Sequence, residues 1–177
     1  NPGIIGVVAD IIKVEKKYET AIETALGAAM QNIVVENEDC GKAAIQMLKR
    51  RDGGRATFLP MNTIRGKRMS LNGLERQPGF VGIASTLVET APEYEEILEN
   101  LLGRTVIAET LDHAIRMARA GENRFRIVTL DGQVVGAANV GQRFTDVRYF
   151  WSRPSAVDYN GGGSGGSNKA TTNPEYL

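Results

Sequence analysis

The residues of this sequence best suited to bind a charged partner are Lys and Arg side chains near its start. They follow the first apolar run, flank a glycine turn and fill a segment of little periodicity: Lys13, Lys16, Lys17, Arg50, Arg51, Arg65, Lys67 and Arg68. If the fold brings them together, they could track a phosphate backbone. Aromatic residues are scarce among them, so such binding would be weak and tolerant of sequence. The alternative is a solvated surface whose positive charges are balanced by Glu.

Side chains typical of catalysis or metal binding do not cluster in this sequence. His113 is the only histidine and Cys40 the only cysteine, whereas a zinc site uses several such ligands at close spacing. The pairs Gly41-Lys42 and Gly66-Lys67 lack the upstream glycine and the hydroxyl of a phosphate-binding loop. We therefore expect no enzyme, no metal, no cofactor and no small-molecule ligand. A small-molecule enzyme on a repeated α/β scaffold is an alternative that no acid, base or metal cluster supports.

Composition limits the classes of protein to which the chain could belong. Its 177 residues are 42% hydrophobic, which is enough for a substantial core. Lys and Arg number 21 and Asp and Glu 21, so no net charge draws the chain to nucleic acid or membrane. One cysteine excludes an intrachain disulfide and fits a reducing compartment. With no apolar run long enough to cross a bilayer, the sequence predicts a cytoplasmic protein without a membrane segment.

An internal repeat organises the elements that must position these side chains. The pattern of glycine, two apolar residues, glycine and an apolar run at residues 3–12 returns at residues 79–88, 76 positions later. Tyr18-Glu19 recurs at the same shift as Tyr94-Glu95. Further along, residues 33–35 match residues 106–108, and residues 55–59 match residues 126–130. Two related units are therefore predicted, because self-similarity at a fixed period indicates duplicated supersecondary structure.

Hydrophobic periodicity predicts the same order of elements, β-α-β-α-β, in both units. The first unit is predicted to have a strand or strand pair over 4–12, strands over 33–35 and 55–59, and helices over 15–29 and 38–51. The second is predicted to have strands over 80–87, 105–108 and 125–130, and helices over 92–102 and 111–120. The fold class is α/β, or mixed α+β, with two pseudo-symmetric subdomains.

Composition also predicts where the chain divides. Residues 1–60 form the first subdomain, 61–78 a basic connector, 79–135 the second subdomain and 136–177 a tail rich in Gly and Ser. Runs such as residues 160–167 are typical of flexible linkers. We expect partial order in the tail up to Tyr159 and mobility beyond it.

Several motifs in order carry a likeness to one family. They include Gly6-Val-Val-Ala-Asp10, Ala25-Leu-Gly27, Gly54-Arg-Ala-Thr-Phe-Leu-Pro60, Gly79-Phe-Val-Gly-Ile-Ala-Ser85 and Arg126-Ile-Val-Thr-Leu-Asp-Gly132. Over residues 3–132 the sequence resembles the hinge domain of bacterial SMC (structural maintenance of chromosomes) proteins. The resemblance implies two pseudo-symmetric subdomains, homodimerisation into a ring-like hinge and a role in chromosome condensation and segregation at the nucleoid. It also implies weak, non-specific DNA contact through basic surface.

Dimerisation is expected to use strands at sheet edges. An edge of one protomer's first subdomain would pair with an edge of the other's second subdomain, which closes a two-fold dimer. The candidate strands close their units: Arg55, Ala56, Thr57, Phe58 and Leu59 in the first, and Arg126, Ile127, Val128, Thr129 and Leu130 in the second.

The likeness to a hinge ends near Gly132. Such hinges usually continue into a Pro-Gly-Gly-Ser-Met-Thr-Gly-Gly-like segment, whereas this chain reads Val135-Gly-Ala-Ala-Asn-Val-Gly-Gln142. From Asp131 onward the sequence is similar to the C subunit of the Kdp potassium-transporting P-type ATPase, through Asp131-Gly-Gln-Val-Val-Gly136, Arg153-Pro-Ser-Ala156 and Ser164-Gly-Gly-Ser-Asn168. We hypothesise a chimeric, engineered or computationally generated chain whose parts meet at Asp131-Gly132, a predicted turn that both families can supply. The alternative function is that of an accessory fragment of such a pump.

Overall fold

The computed structural model describes residues 3–121 and 125–136, and the mixed α/β class predicted from the sequence is confirmed. The order predicted for residues up to Tyr159, and the mobility beyond, lie outside the described residues. The elements of the first unit are β1 (Ile4–Val7), α1 (Val8–Ile11), β2 (Ile12–Val14), α2 (Glu19–Leu26), β3 (Ile33–Val35), α3 (Glu38–Arg50) and β4 (Phe58–Pro60). Those of the second are β5 (Phe80–Ile83), β6 (Val88–Thr90), α4 (Glu95–Leu102), β7 (Thr105–Ala108), α5 (Leu111–Ala120), β8 (Arg126–Thr129) and β9 (Val134–Val135).

The first three strands of the sheet in each unit share their order, their directions and a register irregularity. Strands are ordered β1-β3-β4 in the first unit and β5-β7-β8-β9 in the second. In each sheet the first two strands pair antiparallel, with a register shift between Ile4 and Gly6 in one and between Phe80 and Gly82 in the other. The next pair, β3-β4 or β7-β8, is parallel. The repeat seen in the sequence is therefore a repeat of structure.

The ladders correct the alignment of the last strand of each unit. Phe58 lies opposite Ile33, and Ile127 lies opposite Val106. Since residues 33–35 correspond to residues 106–108, Phe58 corresponds to Ile127. The sequence match of residues 55–59 with residues 126–130 was therefore wrong by two residues, because it aligned one arginine with the other. The predicted strand over 55–59 is wrong too, since β4 covers only Phe58–Pro60.

A third pairing joins the units to each other. Strands β2 and β6 run antiparallel, with Lys13 opposite Glu89, an arrangement of opposite charges that favours pairing. Positions 13 and 89 are separated by the same 76 residues as the repeat, so each strand pairs with its own counterpart. A local two-fold axis therefore passes between Lys13 and Glu89. Across it, the hydroxyl of Thr90 donates to the carbonyl of Ile11 at 2.7 Å.

The connector packs as part of the second unit. The backbone amide of Met69 donates to the carbonyl of Gly103 at 2.9 Å, and that of Gly66 donates to Glu96 Oε2 at 2.8 Å. Leu74 is buried in a cluster built from β7, α5 and β8. A second, larger cluster draws on both units and holds them together; its fully buried members include Ile22, Val34, Ile97, Leu102, Ile107 and Val128.

Arg126, at the start of β8, fastens the second unit to the end of α2. Its guanidinium donates to the carbonyls of Ala25 at 2.9 Å and Thr24 at 3.2 Å, which are among the last carbonyls of that helix. These carbonyls lack partners within the helix, so a cation there satisfies them and complements the helix dipole. Arg126 was predicted as a dimer contact, but its side chain is engaged within its own chain.

Arg126→Met is therefore expected to lower the free energy of unfolding by roughly 1.5–3 kcal/mol, the usual worth of hydrogen bonds to a charged group. Urea denaturation with far-UV circular dichroism measures this directly. Arg116→Met, at an exposed position of α5, is the matched control and should change stability by less than about 0.5 kcal/mol. Equal effects of the two substitutions would contradict the assignment.

Candidate dimerisation edges

Strand β4 leaves one side open. Within the described residues its one strand neighbour is β3. The amide of Ile33 donates to the carbonyl of Thr57 at 2.8 Å, and that of Met61 donates to the carbonyl of Val35 at 2.9 Å. Thr57 and Met61 therefore face β3, and because backbone groups alternate along a strand, Phe58 turns its amide and carbonyl to the open side.

The neighbouring position on that side, Pro60, offers little for pairing. Proline has no amide hydrogen. Its carbonyl accepts from the amide of Ile64 at 3.0 Å, in the turn that leaves the strand. The open side of β4 therefore presents one complete donor and acceptor pair, at Phe58. Of the other candidates in the first unit, Arg55, Ala56 and Thr57 are exposed and precede the strand, and Leu59 is buried.

Strand β8 has no open side along its centre, so the prediction that it leaves an edge free is wrong. Ile127 lies opposite Val135 and Val128 lies opposite Val134 in an antiparallel ladder with β9. The Asp131-Gly132 turn, which the sequence did predict, reverses the chain and brings β9 alongside. At this end of the second sheet, the outer strand among the described residues is therefore β9.

The turn that carries β9 is held by side chains as well as backbone. The amide of Thr129 donates to the carbonyl of Gln133 at 2.9 Å. The hydroxyl of Thr129 donates to the carboxylate of Asp131, which keeps the pKa of Asp131 below its usual value. Gly132 has φ +86°, and a Cβ there would lie 2.9 Å from the hydroxyl of Thr24 on α2. Glycine thus allows both the left-handed turn and its contact with the helix.

The hairpin ladder determines which backbone groups of β9 face outward. The backbone amide of Thr129 donates to the carbonyl of Gln133, and the amide of Gln133 donates to the Thr129 hydroxyl at 2.8 Å, so these two residues are the hydrogen-bonded pair nearest the turn. The next pair, Val128 and Val134, is then of the type that exchanges no hydrogen bonds, because the two types alternate in antiparallel ladders. The amide and carbonyl of Val134 therefore point away from β8. The sequence analysis missed this edge, although Asp-Gly between apolar residues is a strong hairpin signal.

The basic residues predicted to contact DNA lie at three separate places. Lys13, Lys16 and Lys17 lie on β2 and the turn after it; Arg50 and Arg51 lie at the end of α3; Arg65, Lys67 and Arg68 lie on the connector. No hydrogen bond or ion pair among the described residues joins the three groups.

Acidic or backbone partners already engage several of these cations. Lys17 pairs with Glu15 at 3.1 Å, and its ammonium lies 4.7 Å from the ring centroid of Tyr18. Arg68 pairs with Glu99 on α4. DNA contact by these residues stays a prediction.

The lone histidine and cysteine occupy equivalent places in the two units. His113 and Cys40 are each the third residue after a helix N-cap, Thr110 and Asn37 respectively. Among the described residues, no group of three His, Cys, Asp or Glu side chains could hold a metal ion. A search of the same residues finds no helix with the length and apolarity needed to span a membrane.

Two family models match the chain. Residues 1–118 match the model described as SMC proteins Flexible Hinge Domain, and residues 111–177 match that described as K+-transporting ATPase, c chain. Both resemblances stated from the sequence are thus confirmed as likenesses.

The chain is also similar to full-length bacterial proteins. The Chromosome partition protein Smc of Halothermothrix orenii is 42% identical over 161 residues, which are 88% of this chain and 14% of that protein. The protein of the same name from Bacillus subtilis is 46% identical over 136 residues, 75% of this chain and 12% of that protein. The chain therefore spans a small part of the length of these relatives.

Solved structures have the same fold. The crystal structure of an asymmetric dimer of the Geobacillus stearothermophilus SMC hinge domain matches with a TM-score of 0.74 and 44% identity, over 81% of this chain and 61% of that chain. The Pyrococcus furiosus SMC protein hinge domain matches with a TM-score of 0.63 and 31% identity, over 82% of this chain and 79% of that chain.

Proposed function

Because the chain belongs to the SMC hinge family, we propose that it is the homodimerisation module of a protein of chromosome partition, acting in the cytoplasm at the nucleoid. The observation that carries the proposal is that β4 and β9, in different units of one chain, each have a side with no strand neighbour among the described residues. Two copies related by a two-fold axis can each supply a β4 edge to the other's β9 edge. The two identical contacts then close a two-fold dimer in which both of these edges are paired.

The backbone groups at the two edges match one another. Phe58 and Val134 each present one outward amide and one outward carbonyl. These are the groups that a single hydrogen-bonded residue pair exchanges in an antiparallel ladder. Pairing would extend the three-stranded sheet of one copy by the four-stranded sheet of the other. This mechanism keeps β4 among the predicted dimer contacts and replaces β8 by β9.

Light scattering during gel filtration over a dilution series tests the proposal. We expect a mass of twice the 19.2 kDa of one chain at micromolar concentration, falling toward a single chain only on strong dilution. A clean monomer at tens of micromolar would contradict dimerisation by this chain.

DNA contact is a separate proposal, supported by the grouping of Lys16 and Lys17 beside Lys13. We expect the double variant Lys16→Ala, Lys17→Ala to reduce the slope of log K against log salt by about 0.7 per lysine lost for single-stranded DNA. Lys17 should contribute less, because Glu15 already pairs with it. Mobility shifts on single-stranded DNA at several salt concentrations provide the slopes.

The charge-matched control for that experiment is Arg116→Ala, Arg119→Ala on α5, which lies outside the predicted patch. An equal change of slope in both double variants would show that overall charge, and not the patch, is responsible. If the unaltered protein did not change the mobility of single-stranded DNA, the proposal of DNA contact would be contradicted, and the proposal of dimerisation would be unaffected.

The match of residues 111–177 to a potassium-transporting ATPase chain favours a second candidate function, association with the other subunits of such a pump. The described part of that range forms α5, β8 and β9 of the second unit. A chimeric chain that joins parts of two families accounts for both matches. An intact mass that disagreed with the sequence of residues 136–177 would contradict this explanation. A pull-down with the pump's other subunits tests the association, and no co-purification would remove it.

A further inference from the structure

A groove of about 480 Å³ lies beside the open edge of β4, between this strand and helix α3. Its lining combines apolar side chains with a charged rim: Glu38, Gly41, Lys42, Ile45, Gln46, Lys49, Phe58 and Pro60. Ile45 is 42% exposed, an unusual position for a large apolar side chain on an amphipathic helix. The groove therefore continues the β4 edge as an apolar surface.

The second unit shows what covers the equivalent surface there. Helices α3 and α5 are equivalent elements of the two units, and their N-caps, Asn37 and Thr110, are equivalent positions. Ile45 therefore corresponds to Ala118, which is only 4% exposed. Helix α5 contacts β9, and Val135 packs against the buried cluster that includes Ala118. A short strand thus lies against the helix in the second unit, whereas the first unit has no strand of its own at that place among the described residues.

Backbone pairing alone gives a small contact between copies. Strand β4 has three residues and β9 has two, and one residue pair exchanges two hydrogen bonds. Stable dimers bury roughly 1,200–2,000 Å² in total. Side chains beside the paired strands must therefore contribute, and the groove is the apolar surface next to β4.

We propose that the groove between α3 and β4 receives the β9 hairpin of a second copy of this chain, with Ile45 as the main apolar contact. The inference rests on the proposed dimerisation and adds a helix face to a contact otherwise made of strand edges. The occupant follows from the molecule itself, since β9 is what covers the equivalent helix in the second unit. Successive side chains of a strand face opposite sides, and Val135 packs within its own chain. Val134, which the pairing places directly opposite Phe58 of the groove, is therefore the half-buried valine on the groove side. The outer edge of β9 is already the partner assigned to β4.

Ile45→Lys tests the inference. The lysine would place a charge in the groove, where binding of the second copy would bury it at a cost in free energy. In the folded monomer the position is exposed, so the charge should be tolerated there. We expect the dimer dissociation constant to rise at least about tenfold, with an unchanged thermal midpoint at concentrations where both proteins are monomeric. Ala43→Lys adds the same charge at an exposed position of α3 outside the groove, and it should leave the constant within about twofold. Ile45→Gln, without a charge, should weaken the dimer as well and serves if the lysine variant does not fold.

The outcomes separate this inference from the proposed function. A dimer of unchanged affinity with Ile45→Lys and Ile45→Gln would overturn the groove contact and leave pairing of β4 with β9 standing. Equal weakening by Ile45→Lys and Ala43→Lys, with no effect of Ile45→Gln, would also overturn it, because added charge alone would then be the cause. A monomeric unaltered protein would overturn both.

Discussion

Replacing Val134 with proline is expected to raise the dimer dissociation constant at least about 30-fold. Proline removes the outward amide of Val134 and leaves the carbonyl of Phe58 in the other copy without its donor. Each such loss costs about 1–3 kcal/mol, and a two-fold dimer suffers it twice. A factor of ten in the dissociation constant corresponds to about 1.4 kcal/mol. Sedimentation equilibrium over a dilution series measures the change.

The hairpin itself should survive this substitution. The amide of Val134 faces away from β8, and proline is tolerated on edge strands where the missing amide hydrogen would point outward. Val134→Ala is the matched control for the backbone, because it keeps the amide; it shortens only the side chain, so its dissociation constant should rise clearly less than that of the proline variant. Similar weakening by both variants would assign the effect to the side chain. If neither variant weakened the dimer, pairing through β9 would be wrong.

The elements with local signals were the ones that the sequence predicted well. Helix α3 was predicted over 38–51 and spans Glu38–Arg50, and α5 was predicted over 111–120 and spans Leu111–Ala120. Each begins with an N-cap whose side chain accepts from a backbone amide, Asn37 from Cys40 at 3.0 Å and Thr110 from His113 at 3.3 Å. Caps and periodicity act within one or two turns, so a single sequence contains them.

Which strands are edges could not be predicted in the same way. Residues 55–59 and 126–130 have similar composition and each closes a unit, but the chain that follows them differs. After β4 the connector leaves the sheet and packs on α4. After β8 the Asp131-Gly132 turn sends the chain back along the strand. An edge is defined by what lies beside it in space, and periodicity within a strand does not contain that information.

The acidic partners of the basic residues could not be predicted, for a related reason. Arg68 and Glu99 are 31 residues apart in sequence, and only the packing of the connector on α4 brings them together. Lys13 likewise lies opposite Glu89 because the repeat pairs with itself. Counting lysines and arginines along the chain finds cations but not the carboxylates that the fold places beside them. Partial neutralisation of this kind lowers the potential that a phosphate backbone would meet.

Gly79→Ala is expected to lower the free energy of unfolding by about 2–5 kcal/mol, through two costs that add. Gly79 has φ +78°, a left-handed conformation that costs a residue with a Cβ about 1–2 kcal/mol. The new Cβ would also lie 2.2 Å from the ring and 2.6 Å from the Cβ of His113. That ring is held by the hydroxyl of Thr110 at 2.9 Å, so relief requires a shift of α5, at about 1–3 kcal/mol for overpacking.

Gly73→Ala separates these two costs. Gly73 has φ +91°, but a Cβ there would meet no heavy atom within 4 Å, so only the backbone cost of about 1–2 kcal/mol applies. The double variant Gly79→Ala, His113→Ala should recover the part of the loss that overlap with the ring causes, relative to His113→Ala alone, while the overlap with the Cβ of residue 113 remains; a double-mutant cycle by urea denaturation measures this. The first unit repeats the contact, since a Cβ on Gly3, at φ +92°, would lie 2.2 Å from the sulfur of Cys40. If Gly79→Ala and Gly73→Ala cost the same, the histidine moves aside freely, and the glycine that begins each repeat is needed for its backbone conformation alone.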